Sequence, residues 1–499
     1  MVSIASSKEF EGRKAADALF IPCWQGAEGG SPAVAIDSLI SLLGPILALG
    51  DFKGKEGEVL FVYLGDQSEP RAVLLGLGPE EELSADSLRI AYAAAMKRAP
   101  RLKIRSLNVL FPKQRALSQE VVVRGVLDGL LLANYSFDAL RAHTLKSEPT
   151  SLVEKITLIG LPAKLMPLVR KLQIIEEGVT KARDLVNGNA DDVTPDHLAL
   201  VAKSLAKEHK SLKATIFDKK RIEKEGMGLL LAVGQGACGR EPAFILLEYH
   251  GNPGSKDHTV IIGKGITFDT GGLDIKTASG METMKTDMSG AAACLNALGT
   301  IAALGLKVNA TAIVAAAENS IGSRAYKPGD VYTGYSGKTV EIVNTDAEGR
   351  LTLADALAYA VAKLKPSRLI DLATLTGAIV VALGEEIAGL MSSDRELTDL
   401  LLASAQETGE SLWPMPLPKS YKKGLKSHIA DIKNCGSRAG SALTAGLFLQ
   451  EFTGNLPWAH IDIAGVAYPD KPVGLHPTRA TGFGVRLLVD LFERLQEAG

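Results

Sequence analysis

Residues 260–290, VIIGKGITFDTGGLDIKTASGMETMKTDMSG, run from a continuous apolar stretch through a Gly-Gly turn toward the small-residue segment SGAAACLNALGTIAALG at 289–305. A short apolar run bounded by turn residues and followed by a helical segment reads as a buried strand feeding a crossover helix, the repeating unit of a parallel sheet. The alternation continues on both sides. Strand-like runs stand at 212–218, 244–250, 307–317, 338–344 and 367–376, with Gly- and Ala-rich helical stretches between them. Residues 190–499 therefore read as a larger C-terminal α/β domain, with a mostly parallel or mixed central sheet flanked by helices. Upstream, GEVLFVYLG, RAVLLGLG, IRSLNVLFP and KITLIGL alternate with helices, one opening near Ser84 and one over 121–137, and this gives a smaller α/β domain over 1–165. Residues 166–189 have helical periodicity and no strand signal, and read as a linking helix.

With 499 residues the chain can bury a sizeable core, and 46% hydrophobic against 22% charged residues excludes wholesale disorder and fibrous classes. A net charge of −2 gives no overall attraction to nucleic acid or anionic lipid. Two basic clusters exist, Lys97 to Arg105 and Lys219 to Arg221, and charge runs of this kind usually form solvated faces. Four separated cysteines without CxxC give neither a disulfide framework nor a thiolate zinc site. The N-terminus lacks an apolar signal segment, and by inspection no apolar run reaches the ~18 residues of a membrane span. A cytoplasmic protein is expected.

Two phosphate-loop readings fail on context. Gly234-Gln-Gly236-Ala-Cys-Gly239 has the GxGxxG spacing, but a β-like run with Pro242 follows it instead of the helix a dinucleotide needs. Gly263-Lys264-Gly265 lacks the first glycine of a Walker loop, since His258 stands there.

The chemistry concentrates in two places. Lys264, Asp269, Lys276 and Asp287 punctuate the first stretch, and Asn344-Thr345-Asp346-Ala347-Glu348-Gly349-Arg350 lies between the strand-like KTVEIV and the helical LTLADALAYAVAK. Loops at the carboxyl ends of parallel strands converge on one crevice, which would bring three or four carboxylates together. Clustered carboxylates repel and are costly to desolvate, so they must be protonated, paired or bound to metal. Oxygen ligands suit zinc, manganese or magnesium, and two ions about 3.5–4 Å apart need bridging carboxylates, a part Asp269 and Glu348 could take. None of the eight histidines falls in either cluster, which argues against a histidine-rich zinc site and a Ser-His-Asp triad; His460 and His428 read as structural. Bland readings exist for each part. Thr345-x-x-Glu348 matches a capping box, Lys264 could cap a strand end, Asp287 could serve a helix dipole, and Lys276 and Arg350 could be structural ion pairs. Taken singly each is adequate, but together they give no common reason for Gly-Gly turns, two lysines, an arginine and four acids at strand ends.

The two stretches resemble the signatures of the leucyl aminopeptidase family, the cytosol aminopeptidases of peptidase family M17. NTDAEGRL at 344–351 is intact, the upstream GKGITFDTGG, IK and KTDM match in order, and the likeness extends through GMGLLLAVGQG, LATLTGA, DIKNCGSRAG and IDIAGVA over most of 180–490. The first domain, macro-like in class, resembles the family's N-terminal part more loosely. The resemblance implies two divalent ions per subunit, Mn²⁺ or Zn²⁺. Asp269, Asp346 and Glu348 would hold one, and Lys264, Asp269, Asp287 and Glu348 the other. A ligating lysine must be neutral, so Arg could not replace Lys264. Lys276 would polarise the scissile carbonyl, Arg350 would hold a bicarbonate, and the nucleophile would be a water activated by the metals. Met284, Thr374, Leu375, Gly377, Ala464 and Ala467 would form the side-chain pocket. Ala467 stands where some members carry Met, which implies a roomier pocket. Gly188-Asn189 and Ser441 also depart from the common pattern, away from the metal site. The family likeness further implies a homo-hexamer acting on short peptides with Leu-like N-termini.

Two rival functions stay open on sequence. A two-metal phosphoesterase would use the same oxygen ligands, with Lys276 and Arg350 clamping phosphate. A DNA-binding protein would rest on the 97–105 cluster alone.

Overall fold

The structure is a computed structural model that describes residues 2–65 and 68–498. It divides into two compact units, Met1–Glu177 with Asp470–Arg479, and Gly178–Pro469 with Ala480–Gly499. The first division falls within the helix Met166–Asn187, and a short segment late in the chain joins the first unit.

The first unit is a seven-stranded sheet ordered Ser3–Ser7, Lys155–Ile159, Ser106–Leu110, Ala18–Trp24, Arg71–Gly76 and Val59–Tyr63, with Ser31–Pro32 paired beside Ala18–Trp24. Neighbours along this path run parallel except at the last pair, Arg71–Gly76 with Val59–Tyr63. The helix Ala85–Met96 opens where the sequence places it, with Ser84 and Ser87 forming a reciprocal cap. The basic cluster from Lys97 to Arg105 is partly engaged by its own fold: Lys97 Nζ donates to the Gly474 carbonyl at 2.6 Å, Arg98 to that of Val59 at 3.1 Å, and Arg105 lies 3.8 Å from Glu154. Lys219 and Arg221 likewise meet Glu241 at 2.7 Å and the Phe217 ring at 3.6 Å.

The second unit holds an eight-stranded mixed sheet. Its order is Leu412–Pro414, Ala388–Ser392, Trp458–Asp462, Arg368–Ala373, Thr259–Asp269, Asn309–Asn319, Ala243–His250 and Leu212–Phe217. The four central strands, from Trp458–Asp462 to Asn309–Asn319, run parallel, and antiparallel pairings begin on either side. Central strands read as unbroken apolar runs because both faces are covered; Val260, Ile262, Ile313 and Leu369 on the strands pack with Leu351, Leu353 and Leu357 of the helix Gly349–Tyr359. Burying each such side chain contributes about 1.5–3 kcal/mol before conformational entropy is counted. On the GxGxxG stretch, the helix Gly228–Gly234 ends where the motif begins and the strand Ala243–His250 follows, so no helix N-terminus is offered to a pyrophosphate.

Two expectations need correction. The KTVEIV run supplies Thr339–Glu341, which joins a separate three-stranded sheet with Val331–Thr333 and Ile432–Lys433, not the central one. Its half-buried, buried, half-buried pattern is that of a strand with one covered face, unlike the wholly buried central strands. An 18-residue window within 278–304 is apolar enough for a membrane span, longer than the sequence reading allowed; 83% of that window is buried within the fold, and Ser289–Leu304 is a core helix.

Candidate metal centre and active site

The strand Thr259–Asp269 supplies the first two groups. Alternation would send Lys264 and Asp269 to opposite faces, but the ladder with Asn309–Asn319 shifts register between Ile266 and Asp269, three steps on one strand against two on the other. The extra residue reverses the alternation and lets both side chains reach one side. Past Asp269, Gly271 and Gly272 take φ of 86° and 65°, which L side chains rarely adopt, and the chain doubles back to bring in Lys276. The short turn Met284–Thr286 then leads to Asp287, and the stretch 344–348 enters from the small sheet.

These segments meet. Lys264 Nζ lies 2.7 Å from Asp287 Oδ2 and 2.9 Å from Glu348 Oε1, and it donates to the Thr374 carbonyl at 2.9 Å. Lys276 Nζ lies 2.8 Å from Asp269 Oδ2 and 2.5 Å from Asp346 Oδ1. Asp269, Asp346 and Glu348 each offer an oxygen within 4.8 Å of the other two. Four carboxylates thus face two ammonium groups, and Lys264, Asp269, Asp287 and Glu348 are all buried.

The charge balance shows in the titration of each group. Burial, reinforced by the nearby Glu348 charge, pushes Asp269 up to about 6. Burial also raises Asp287 and Asp346. Glu348 is held below the usual range, because Lys264 and Lys276 together outweigh its burial. For Lys264, burial opposes the ammonium, yet Asp287, Glu348 and Asp269 shift it upward. One oxygen of this cluster stands apart: Glu348 Oε2 is buried and has no hydrogen-bond partner among the described residues. An orphaned carboxylate oxygen among excess negative charge, with hard oxygen donors converging, fits a divalent cation.

Thr345 and Glu348 form no capping box; Glu348 itself begins the helix Gly349–Tyr359 with no side-chain cap. Thr345 Oγ1 instead donates to the Gly271 carbonyl at 2.6 Å and accepts from the Asp274 amide at 2.8 Å, tying the two clusters together. Asp287 points at Lys264 and at the Thr374 hydroxyl, 2.7 Å away, and so does more than serve a helix terminus. Gly349 is required where it stands: a Cβ there would lie 2.3 Å from Lys264 Cε. Arg350 is buried and donates from Nη1 to the Asn434 carbonyl at 2.9 Å, while its Nε has no partner among the described residues.

Of the expected pocket residues, Thr374, Leu375 and Gly377 follow the strand Arg368–Ala373, Ala464 and Ala467 follow Trp458–Asp462, and Met284 sits half-buried in its turn. Ala464 packs against a small apolar cluster of Ile379, Met391 and Ala442. Among the histidines, His460 is buried against Asp371 at 2.6 Å and His428 is exposed.

Sequence reasoning missed four supporting groups. Asn319 donates to Asp269 Oδ1 at 2.8 Å and to the Thr345 carbonyl at 3.1 Å. Asp274 accepts from the Thr345 amide at 2.7 Å. Asn434 accepts from the Val343 amide at 2.9 Å and donates to the Asn344 carbonyl at 2.6 Å, and Asp462 binds the 375–376 turn. A polar residue closing an apolar strand, as Asn319 and Asp462 both do, was the available signal.

Comparison with known proteins gives the context of this geometry. The catalytic-domain model of the cytosol aminopeptidase family matches residues 180–489, and the family's N-terminal-domain model matches 21–144. The chain belongs to the cytosol aminopeptidase family. It is 48% identical over 495 residues to a probable cytosol aminopeptidase of Protochlamydia amoebophila, covering 99% of both chains. A probable cytosol aminopeptidase of Chlamydia felis is 48% identical over 488 residues, with 97% of both chains covered. Among solved structures, a mutant of tomato leucine aminopeptidase superposes with a TM-score of 0.88 at 32% identity, covering 99% of this chain and 97% of that one. The bottromycin maturation enzyme BotP gives 0.84 at 32% identity, covering 97% and 100%, and a second BotP structure was solved in complex with Mn. Family membership makes this chain an aminopeptidase, a hydrolase acting at peptide N-termini, as the sequence motifs led one to expect.

Proposed function

We propose that the chain is a two-metal aminopeptidase that removes Leu-like N-terminal residues from short peptides. The observation that carries this is the convergence of Asp269, Asp346 and Glu348, with an unpartnered Glu348 oxygen, in a chain matched along its length by aminopeptidases. Asp269, Asp346 and Glu348 would hold one ion, and Lys264, Asp269, Asp287 and Glu348 the second. Manganese and zinc both suit such ligands. When bound, the ions supply Lewis acidity and lower the pKa of water.

The chain's own groups do the remaining work. Lys276, held at the edge of the cluster by Asp269 and Asp346, would donate to the scissile carbonyl and stabilise the oxyanion that develops there. Arg350, with its buried Nε still free to donate, suits a small planar anion such as bicarbonate. Met284, Thr374, Leu375, Gly377, Ala464 and Ala467 would receive the side chain of the N-terminal residue, apolar and adaptable because of Met284. The same reading has the protein act as a homo-hexamer in the cytoplasm on peptide substrates.

Hydrolysis of a leucyl anilide tests the proposal. Activity should vanish with a chelator, return with Mn²⁺ or Zn²⁺, and exceed that on a glutamyl anilide; chelator-resistant hydrolysis, or no preference for leucyl, would contradict it.

A further inference from the structure

Alternate residues of a strand share a face, so Trp458, His460 and Asp462 point the same way, and all three are fully buried. This is a polar stripe on a central strand of the sheet. Asp371 stands opposite His460 in the parallel ladder, accepts from Trp458 Nε1 at 2.7 Å and meets His460 Nδ1 at 2.6 Å. That accounts for the first two residues of the stripe. Asp462, at the carboxyl end of the strand, serves something else.

Its carboxylate takes four hydrogen bonds from two loops. Oδ1 accepts from the amides of Leu375 at 3.1 Å, Thr376 at 3.4 Å and Ala464 at 3.2 Å, and Oδ2 accepts from the Thr376 hydroxyl at 2.7 Å. A buried carboxylate is expensive unless its lone pairs are filled, and here they are filled by backbone that carries the proposed side-chain pocket. Leu375 and Gly377 lie on one loop, Ala464 and Ala467 on the other. The first loop also faces the cluster: the Thr374 carbonyl accepts from Lys264 and its hydroxyl donates to Asp287. One carboxylate therefore joins both pocket walls, and one of those walls touches the proposed metal ligands.

We propose that Asp462 is a positioning residue that sets the spacing between the 374–377 and 464–467 walls, and through it the selection of the substrate's N-terminal side chain. This rests on the assignment of those walls to the pocket. The test uses the manganese-loaded full chain with leucyl and alanyl anilides, comparing wild type, Asp462→Asn, Asp462→Ala and Ala467→Met. Asp462→Asn keeps an acceptor for the three amides and loses only the one facing the Thr376 hydroxyl. It should raise KM for the leucyl substrate about threefold to tenfold, the worth of one buried hydrogen bond, and lower the leucyl-to-alanyl ratio of kcat/KM. Metal content should stay near wild type, and Tm should fall by only a few degrees. Asp462→Ala should show a larger shift in the same direction, with Asp462→Asn a partial rescue of it. If Asp462→Ala does not fold, Asp462→Asn decides. A folded Asp462→Asn with wild-type KM and ratio overturns the proposal, as does an effect confined to metal content or Tm. Ala467→Met separates the two levels: if it too leaves the ratio unchanged, the pocket assignment itself fails, and if it shifts the ratio while Asp462→Asn does not, only the role of Asp462 fails.

Discussion

Lys276 and Lys264 are one residue type in two different surroundings. Lys264 is sealed between Asp287, Glu348 and the Thr374 carbonyl, whereas Lys276 keeps 17% of its side-chain surface exposed and bridges Asp269 and Asp346 at the edge of the cluster. Lys276→Ala should therefore retain bound metal and slow turnover by about 10²-fold or more, the usual loss for an oxyanion donor. Steady-state kinetics beside metal analysis checks this; a loss of metal would move Lys276 from substrate to scaffold. His460 gives a second prediction at this scale. Burial opposes its charge, but Asp371 more than compensates and raises its pKa above the ordinary value of 6.5. A group whose pKa is raised by folding adds stability that is complete below the unfolded value and is lost as pH rises through the folded one. The Tm of wild type should fall, relative to His460→Gln, as pH climbs above about 6.5. Parallel curves for the two proteins would mean that folding leaves the imidazole pKa unchanged, and a wild-type Tm that rises relative to His460→Gln over the same range would mean that the imidazole is buried neutral.

Among elements, the decisive junction is between the Gly-Gly turn and the 344–348 stretch. Thr345 Oγ1 bonds Gly271 and Asp274, and Asn319 reaches both Asp269 and the Thr345 carbonyl, so two loops far apart in sequence are locked as one. Thr345→Val keeps the shape and removes the hydroxyl, leaving buried partners unsatisfied. It should cost about 1–3 kcal/mol of stability and weaken metal affinity, read by denaturation and by metal titration. This junction also marks the limit of what the sequence discloses. The acids and lysines were legible because charge inside apolar framework is anomalous and the motif around 344–351 is specific. Asp269 sharing a side with Lys264 was not legible, since it depends on a register shift between neighbouring strands that simple alternation contradicts. The small sheet was hidden for a related reason: three residues, Thr339–Glu341, carry too little periodicity to show which sheet they join.

For the whole molecule, strand-helix alternation was enough to predict the α/β class, because buried parallel strands write themselves as continuous apolar runs. It did not predict where compact units divide, since Met166–Asn187 reads as one unbroken helix and 470–479 has no marking in its composition. The excess of carboxylates over ammonium groups has a consequence at this scale. Ions that bind the folded chain and not the unfolded one stabilise it by mass action. Removing metal with a chelator should lower Tm, and added Mn²⁺ or Zn²⁺ should restore it in a concentration-dependent way. A Tm indifferent to both would mean that the cluster is balanced by its lysines alone.

The central claim is that Asp269, Asp287, Asp346 and Glu348, brought from two stretches of sequence, bind a pair of divalent ions that hydrolysis needs. Metal content per chain, measured on wild type and on Asp346→Ala beside leucyl anilide turnover and circular dichroism, tests it most directly. The account predicts about two ions in wild type, consistent with a two-metal site, fewer in Asp346→Ala, turnover nearly abolished and the fold intact. Equal metal content in the two proteins, or an unfolded variant whose metal content never changes, would contradict it.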